Sequence, residues 1–223
     1  NLVAHAFGNT LQAGDRVLIS VAEHHSNFVP WQMLRDRIGI ELALIPVRAD
    51  GRLDLRHLSE RMGSRCRLVA LTHCSNVTGQ WTDVAAVVAA AHQAGARVLL
   101  DGAQAVPHGP QDVRALDVDF YAFSGHKCFG PGGIGVLWGR QELLAAMPPF
   151  LGGGGMIGEV TPSLSTWAAP PQRFEAGTPP IAQAIGLAAA LEWMMGLPWP
   201  QIHAREDSLR RTLIEGLRGI PDL

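Results

Sequence analysis

The chain has 223 residues, 47% of them hydrophobic and 17% charged, the balance of an ordinary globular protein with ample apolar material for a core. Its 18 Lys and Arg against 20 Asp and Glu give a formal charge of -2, which argues against a basic surface for nucleic acid or for an anionic membrane. The three cysteines, Cys66, Cys74 and Cys128, form no CxxC pair and leave an odd count, so the expectation is no disulfide framework and a reducing compartment.

Short β-branched or apolar runs alternate with helical patterns through the first two thirds. Residues 16–21 (RVLISV) read as a strand, followed by a helix over 27–38 with Asn27 as its cap and Pro30 in its first turn. A strand over 41–47 and a helix over 54–62, with Asp54 at its positive end, come next. Residues 67–73 form a third strand, 82–94 an Ala- and Val-rich helix closed by Gly95, and 97–101 a fourth strand. Two more strands are expected over 118–123 and 133–138. The glycine run 151–155 and the segment 167–171 read as loops, before long helices over 180–195 and 200–217. This order predicts an α/β fold with a mostly parallel sheet and helices on both faces.

The chain opens on Asn1 inside a helical pattern and closes over 220–223 where another element is about to begin, so an internal piece of a longer protein is expected. No charged segment followed by an apolar run opens it, and the apolar windows 84–91 and 181–199 are too short, or too broken by Gln183, Glu192 and Pro198, to cross a bilayer. A soluble, cytoplasmic protein with no membrane partner is the expectation.

Five segments carry candidate chemistry. The densest is 118–127 (VDFYAFSGHK) followed by 128–136 (CFGPGGIGV), which sets Lys127 just past a strand end beside Ser124 and His126. Open α/β sheets place ligands there, and an imine-forming lysine needs such a rigid seat. The second is 99–104 (LLDGAQ), where Asp101 ends a strand and Gln104 follows; a carboxylate so placed can keep a cofactor ring nitrogen protonated. The third, 22–31 (AEHHSNFVPW), offers His24 for ring stacking and proton transfer. Adjacent histidines rarely converge on one ion and no further ligand stands near, so no metal is expected. The fourth, 75–79 (SNVTG), offers Asn76, and the fifth, 173–179 (RFEAGTP), offers Thr178 at the head of a helix pattern for a phosphate. Taken singly, Asp101, Asn76 and Thr178 read equally well as turn or cap residues.

Together these motifs resemble the class V group of fold-type I pyridoxal-phosphate (PLP) enzymes, and 23–31 (EHHSNFVPW) with 75–79 resemble its cysteine desulfurases most closely. The resemblance spans residues 16 to about 193. It implies the fold-type I large domain over 1–196, with 197–223 leading into a smaller domain. It implies that Lys127 holds PLP as a Schiff base and later moves the Cα proton, that Asp101 pairs with the pyridine nitrogen, and that His24 stacks on the ring. Gln104 and Asn76 would contact the ring oxygen region, and Ser124 and His126 the phosphate. Thr178 would reach the phosphate of a neighbouring subunit, which implies a homodimer. The implied reaction converts L-cysteine to L-alanine and leaves the sulfur as an enzyme persulfide, with L-selenocysteine a second substrate and a sulfur-acceptor protein a further partner, as in iron–sulfur cluster assembly.

Departures from that pattern are also expected. The Gly-Thr-Thr phosphate turn, the nucleophilic cysteine loop and the carboxylate-binding arginine of the group fall outside this sequence, and Cys66, Cys74 and Cys128 all read as structural. Other readings are an epimerase or kynureninase-like relative, or a PLP-binding, dimerising scaffold without turnover.

Overall fold

The computed structural model describes residues 1–220. Five strands run parallel and a sixth closes the sheet antiparallel, in the order β2-β1-β3-β4-β5-β6. They are β1 (Arg16–Ser20), β2 (Glu41–Ile45), β3 (Cys66–Thr72), β4 (Arg97–Asp101), β5 (Phe120–Ser124) and β6 (Gly135–Gly139). Helices α1 (Leu2–Ala6), α2 (Val29–Ile38), α3 (Leu58–Met62) and α4 (Val84–Gln93) cross between or precede them.

Side chains of successive strand residues point to opposite faces, so apolar strands build two cores. Leu18, Val69, Leu71, Val98, Leu100 and Tyr121 pack on one face with α3 and α4. Val17, Ile19, Leu68, Ala70, Leu99 and Phe120 pack on the other with α1 and α2. This is the expected mostly parallel sheet with helices on both faces. One buried carboxylate ties its layers: Asp119 accepts from His92 Nε2 of α4 at 2.8 Å, from Arg97 Nη1 at 3.3 Å and from the Val98 N–H at 2.8 Å. Gathering donors from three sides is what makes a fully buried charge tolerable.

Most expected elements fall within two residues of their observed bounds. Three differ for local reasons. Helix 54–62 shrinks to the single turn of α3, because Asp54 clasps Arg56 through Nε and Nη2, both at 2.7 Å, and caps no helix. Asn27 does not cap α2; Phe28 occupies that position and Asn27 turns inward. Beyond helix α5 (Gln141–Ala146), the Gly- and Pro-rich stretch contains a hairpin, β7 (Ile157–Val160) with β8 (Ser165–Trp167), that includes the first residue of a segment read as a loop.

Helices α6 (Ile181–Met195) and α7 (Trp199–Arg218) follow as expected. Both carry exposed apolar side chains, among them Ile185, Trp193, Met195 and Leu213. Among the described residues no single helix is long and apolar enough to cross a membrane. The element expected to begin over 220–223 lies almost wholly outside the described residues.

Candidate active site

A cleft of about 710 Å³ opens where the carboxyl ends of β4 and β5 meet the loop after β1. Its volume falls in the range of small-molecule sites, and its place at the strand ends is where parallel sheets bind ligands. His24, Asp101, Ser124, His126 and Lys127 all line it. Five of the eight residues singled out in the sequence are thus brought to one cavity from three separate segments. Leu99, Ala122, Leu137 and Trp31 supply apolar wall.

The backbone explains how each is delivered. Ser124 ends β5, and a 3-10 turn, Gly125–Lys127, lifts Lys127 over the strand end. The turn is closed by Cys128 N–H to Gly125 O at 2.9 Å and Gly130 N–H to the same oxygen at 3.0 Å. A Cβ on Gly125 would stand 3.0 Å from Ile134 Cγ2 and 3.1 Å from its carbonyl, so this crossing of the β5–β6 connection has little room for a side chain. Lys127 and Ser124 are half-buried and His126 is exposed.

Asp101 ends β4. Its Oδ1 accepts the Ala103 N–H at 2.9 Å, and its carbonyl accepts the His73 N–H at 2.9 Å. Beneath it, Gly102 lies against Tyr121: a Cβ there would fall 2.2 Å from the ring and 2.4 Å from Oη. Only glycine fits that contact, so the turn carrying the carboxylate is packed directly on β5. Tyr121 Oη meets His73 Nδ1 at 2.9 Å, and burial holds the His73 imidazole neutral, with its pKa down at about 4.

His24 sits just before the 3-10 turn His25–Asn27. The Ser26 backbone N–H donates to its Nδ1 at 3.2 Å, with Ser26 Oγ also 2.9 Å from that atom. A backbone N–H can only donate, so Nδ1 is the acceptor and the ring proton lies on Nε2.

Three expected site residues lie outside the cleft lining. Asn76 is exposed in a turn organised by Ser75, whose Oγ accepts the N–H groups of Val77 and Thr78 at 3.2 Å each. Gln104 is half-buried in the turn beyond Asp101. Thr178 is exposed and stands two residues before Pro180, the cap position of α6. The two residues after it, Pro179 and Pro180, have no N–H, so no amide pair immediately behind Thr178 awaits a phosphate. Arg173 of the same segment turns to structure, donating to the carbonyls of Ala145, Met147 and Ala168. The three cysteines are buried away from the cleft lining. Burial pushes all three thiols up, that of Cys66 to about 11, leaving little thiolate.

The family model of the class-V aminotransferases matches residues 1–223. The chain belongs to the aminotransferase class-V family. Among curated members it is 53% identical over 225 residues to a cysteine desulfurase of Klebsiella pneumoniae, covering all of this chain and 55% of that protein. Among solved structures it superposes on the cysteine desulfurase CsdA of Escherichia coli with a TM-score of 0.95 at 45% identity, over 99% of this chain and 55% of the other. It also matches a C-DES variant described with glycine covalently linked to its PLP cofactor, with a TM-score of 0.72 at 32% identity, over 87% and 50% of the two chains. The chain therefore spans about half the length of the class-V relatives it matches.

In the sequence Asn27 reads as a helix cap, and Glu23 and Trp31 carry no role. Glu23 is buried, and burial raises its carboxyl to about 7 against the bonds that favour its charge. The missed signal is their spacing, at i, i+4 and i+8 around His24.

Proposed function

We propose that the cleft is a PLP site of the cysteine desulfurase kind, acting on L-cysteine in a cytoplasmic protein. The observation that carries this reading is the convergence of one primary amine, Lys127, one carboxylate, Asp101, and two phosphate-compatible donors, Ser124 and His126, on a single cavity. That donor set suits a ring bearing an aldehyde, a basic nitrogen and a phosphate, and the cavity has volume for an amino acid beside it. Bound PLP supplies the electron sink that lets an amino acid lose its Cα proton.

The chain's own residues do the rest. Lys127 would hold the cofactor through its Nζ, and the same amine would take the Cα proton of a bound amino acid and return it. Asp101 keeps a proton on the ring nitrogen, held in place by the Ala103 N–H. His24, with its proton on Nε2, would hold the cofactor ring by stacking. Ser124 and His126 donate to the phosphate. Asn76 and Gln104 act from the margins of the site on ring or substrate oxygens. Thr178, exposed outside this cleft, serves the phosphate site of a second copy in a homodimer.

Sulfur removal requires a thiolate that attacks the cysteine sulfur; the Cβ–S electron pair stays on carbon, which takes a proton to give alanine. None of Cys66, Cys74 and Cys128 suits that task, being buried with raised thiols. These 223 residues by themselves are thus expected to bind PLP and L-cysteine without releasing alanine.

The test is spectroscopic. L-cysteine added to the PLP-loaded chain should shift its visible band, with no alanine formed above the free-PLP control. A band that responds to kynurenine or another amino acid and not to cysteine would assign the site to a different class-V reaction. Alanine release in step with chain concentration would refute the role given to the three thiols.

A further inference from the structure

Four side chains form one hydrogen-bonded line that runs from β1 to the cleft wall, where Asn27 and Trp31 line the cavity. Glu23 joins Ser20 Oγ, at the end of β1, through Oε1. Its Oε2 accepts from Asn27 Nδ2 at 2.7 Å. Asn27 Oδ1 in turn accepts from Trp31 Nε1 at 3.1 Å. All four are buried, Trp31 to 1% exposure, in the first turn of α2. His24 lies between the two ends of the Glu23–Asn27 bond, on the five-residue loop which that bond closes, and Asn27 N–H also returns to His24 O at 2.8 Å.

We infer that Glu23 is the positioning residue for His24: through Ser20, Asn27 and Trp31 it anchors the β1–α2 loop to β1 and α2, and so fixes the imidazole with Nδ1 on Ser26 and Nε2–H toward the cleft. An exposed loop residue would otherwise sample several rotamers. The geometry of the turn agrees. The Nδ1 bond to Ser26 requires the turn His25–Asn27 to keep its shape, and Asn27 is where the buried line meets that turn. Glu23 touches neither the cleft nor a substrate; it acts through another residue. The inference rests on the cofactor reading only for its consequence in binding, because the ring geometry belongs to the chain alone.

The experiment compares Glu23→Gln with Glu23→Ala in the full chain. Glutamine keeps both partners, with Oε1 accepting from Asn27 and Nε2 donating to Ser20; alanine keeps neither. Nitrogen-15 NMR of the histidine rings in cofactor-free protein reads the His24 tautomer, and PLP titration by absorbance reads affinity. E23Q should retain the Nε2–H form and PLP affinity within about twofold, whereas E23A should show averaged tautomers and bind PLP roughly tenfold more weakly, the cost of a lost buried hydrogen bond. If E23A does not fold, Asn27→Ala cuts the same line beyond Glu23 and should give the same averaging. An unchanged His24 tautomer in whichever of these two variants folds overturns the inference. Failure of wild type to bind PLP would instead refute the cofactor reading, and the NMR comparison would still decide the role of Glu23.

Discussion

Glu23 and His73 are buried titratable groups whose ionisation opposes each other across mildly acidic pH. The folded Glu23 carboxyl titrates at about 7 against an ordinary 4.5, so from pH 7 down to 4.5 the fold takes up a proton before the unfolded chain does, and acid stabilises it. His73 titrates at about 4 against 6.5, so over pH 6.5 to 4 the unfolded chain takes the proton first, and acid destabilises the fold. Glu23→Gln removes only the first effect. Its stability should therefore fall more on going from pH 7 to 4.5 than that of wild type, by an extra amount of order 3 kcal/mol. Urea unfolding at the two pH values measures this, and parallel behaviour of the two proteins would contradict it. At this scale the cleft residues Lys127, Asp101 and His24 were legible, because each ends or follows an apolar strand with chemistry that packing does not need. Glu23 and Trp31 stood in the same motif without an assigned role, and Asn27 was taken for a cap. Their roles come from burial between two strand ends, and Asn before an apolar run reads first as a helix cap.

Elements bounded by strong periodicity or by glycine were readable. Strand β4 was placed to the residue, and α4 was found with its stop at Gly95, whose φ is 73°. The hairpin β7–β8 was hidden because only Ile157–Val160 and Ser165–Trp167 pair within a Gly- and Pro-rich stretch, and every residue of β7 is exposed, so no inward-facing alternation marks it. Helix 54–62 was overextended because an acidic residue near a helix start is only a bias, and the Arg56 guanidinium claimed Asp54 instead. The contact of Gly102 with Tyr121, which joins the turn after β4 to β5, was invisible in sequence yet makes a sharp demand. Gly102→Ala should destabilise the fold by about 1–3 kcal/mol, as overpacked positions do, and weaken PLP binding by moving Asp101. A wild-type urea midpoint and unchanged cofactor affinity would show that Tyr121 yields without consequence.

For the whole molecule, the sheet was legible because its strands alternate with helices in register with two apolar faces. The cleft was legible only as a set of strand ends, since which residues share a cavity depends on how far each loop carries its side chain. Hence Lys127 and Asp101 meet there, while Asn76 remains in an exposed turn. Thr178 and several apolar side chains of α6 and α7, Ile185, Trp193 and Leu213 among them, are exposed to solvent in a single copy. With the homodimer proposed above, light scattering behind size-exclusion chromatography should give twice the chain mass at micromolar concentration. A strictly monomeric chain that still binds PLP fully would remove Thr178 from the site. The account stands or falls on Lys127. The purified chain, incubated with PLP and reduced with borohydride, should yield on peptide mapping a single pyridoxyl-modified lysine at position 127, with the visible band lost in Lys127→Ala. A folded wild-type chain that carries no label at Lys127 would contradict the assignment of the cleft as a cofactor site.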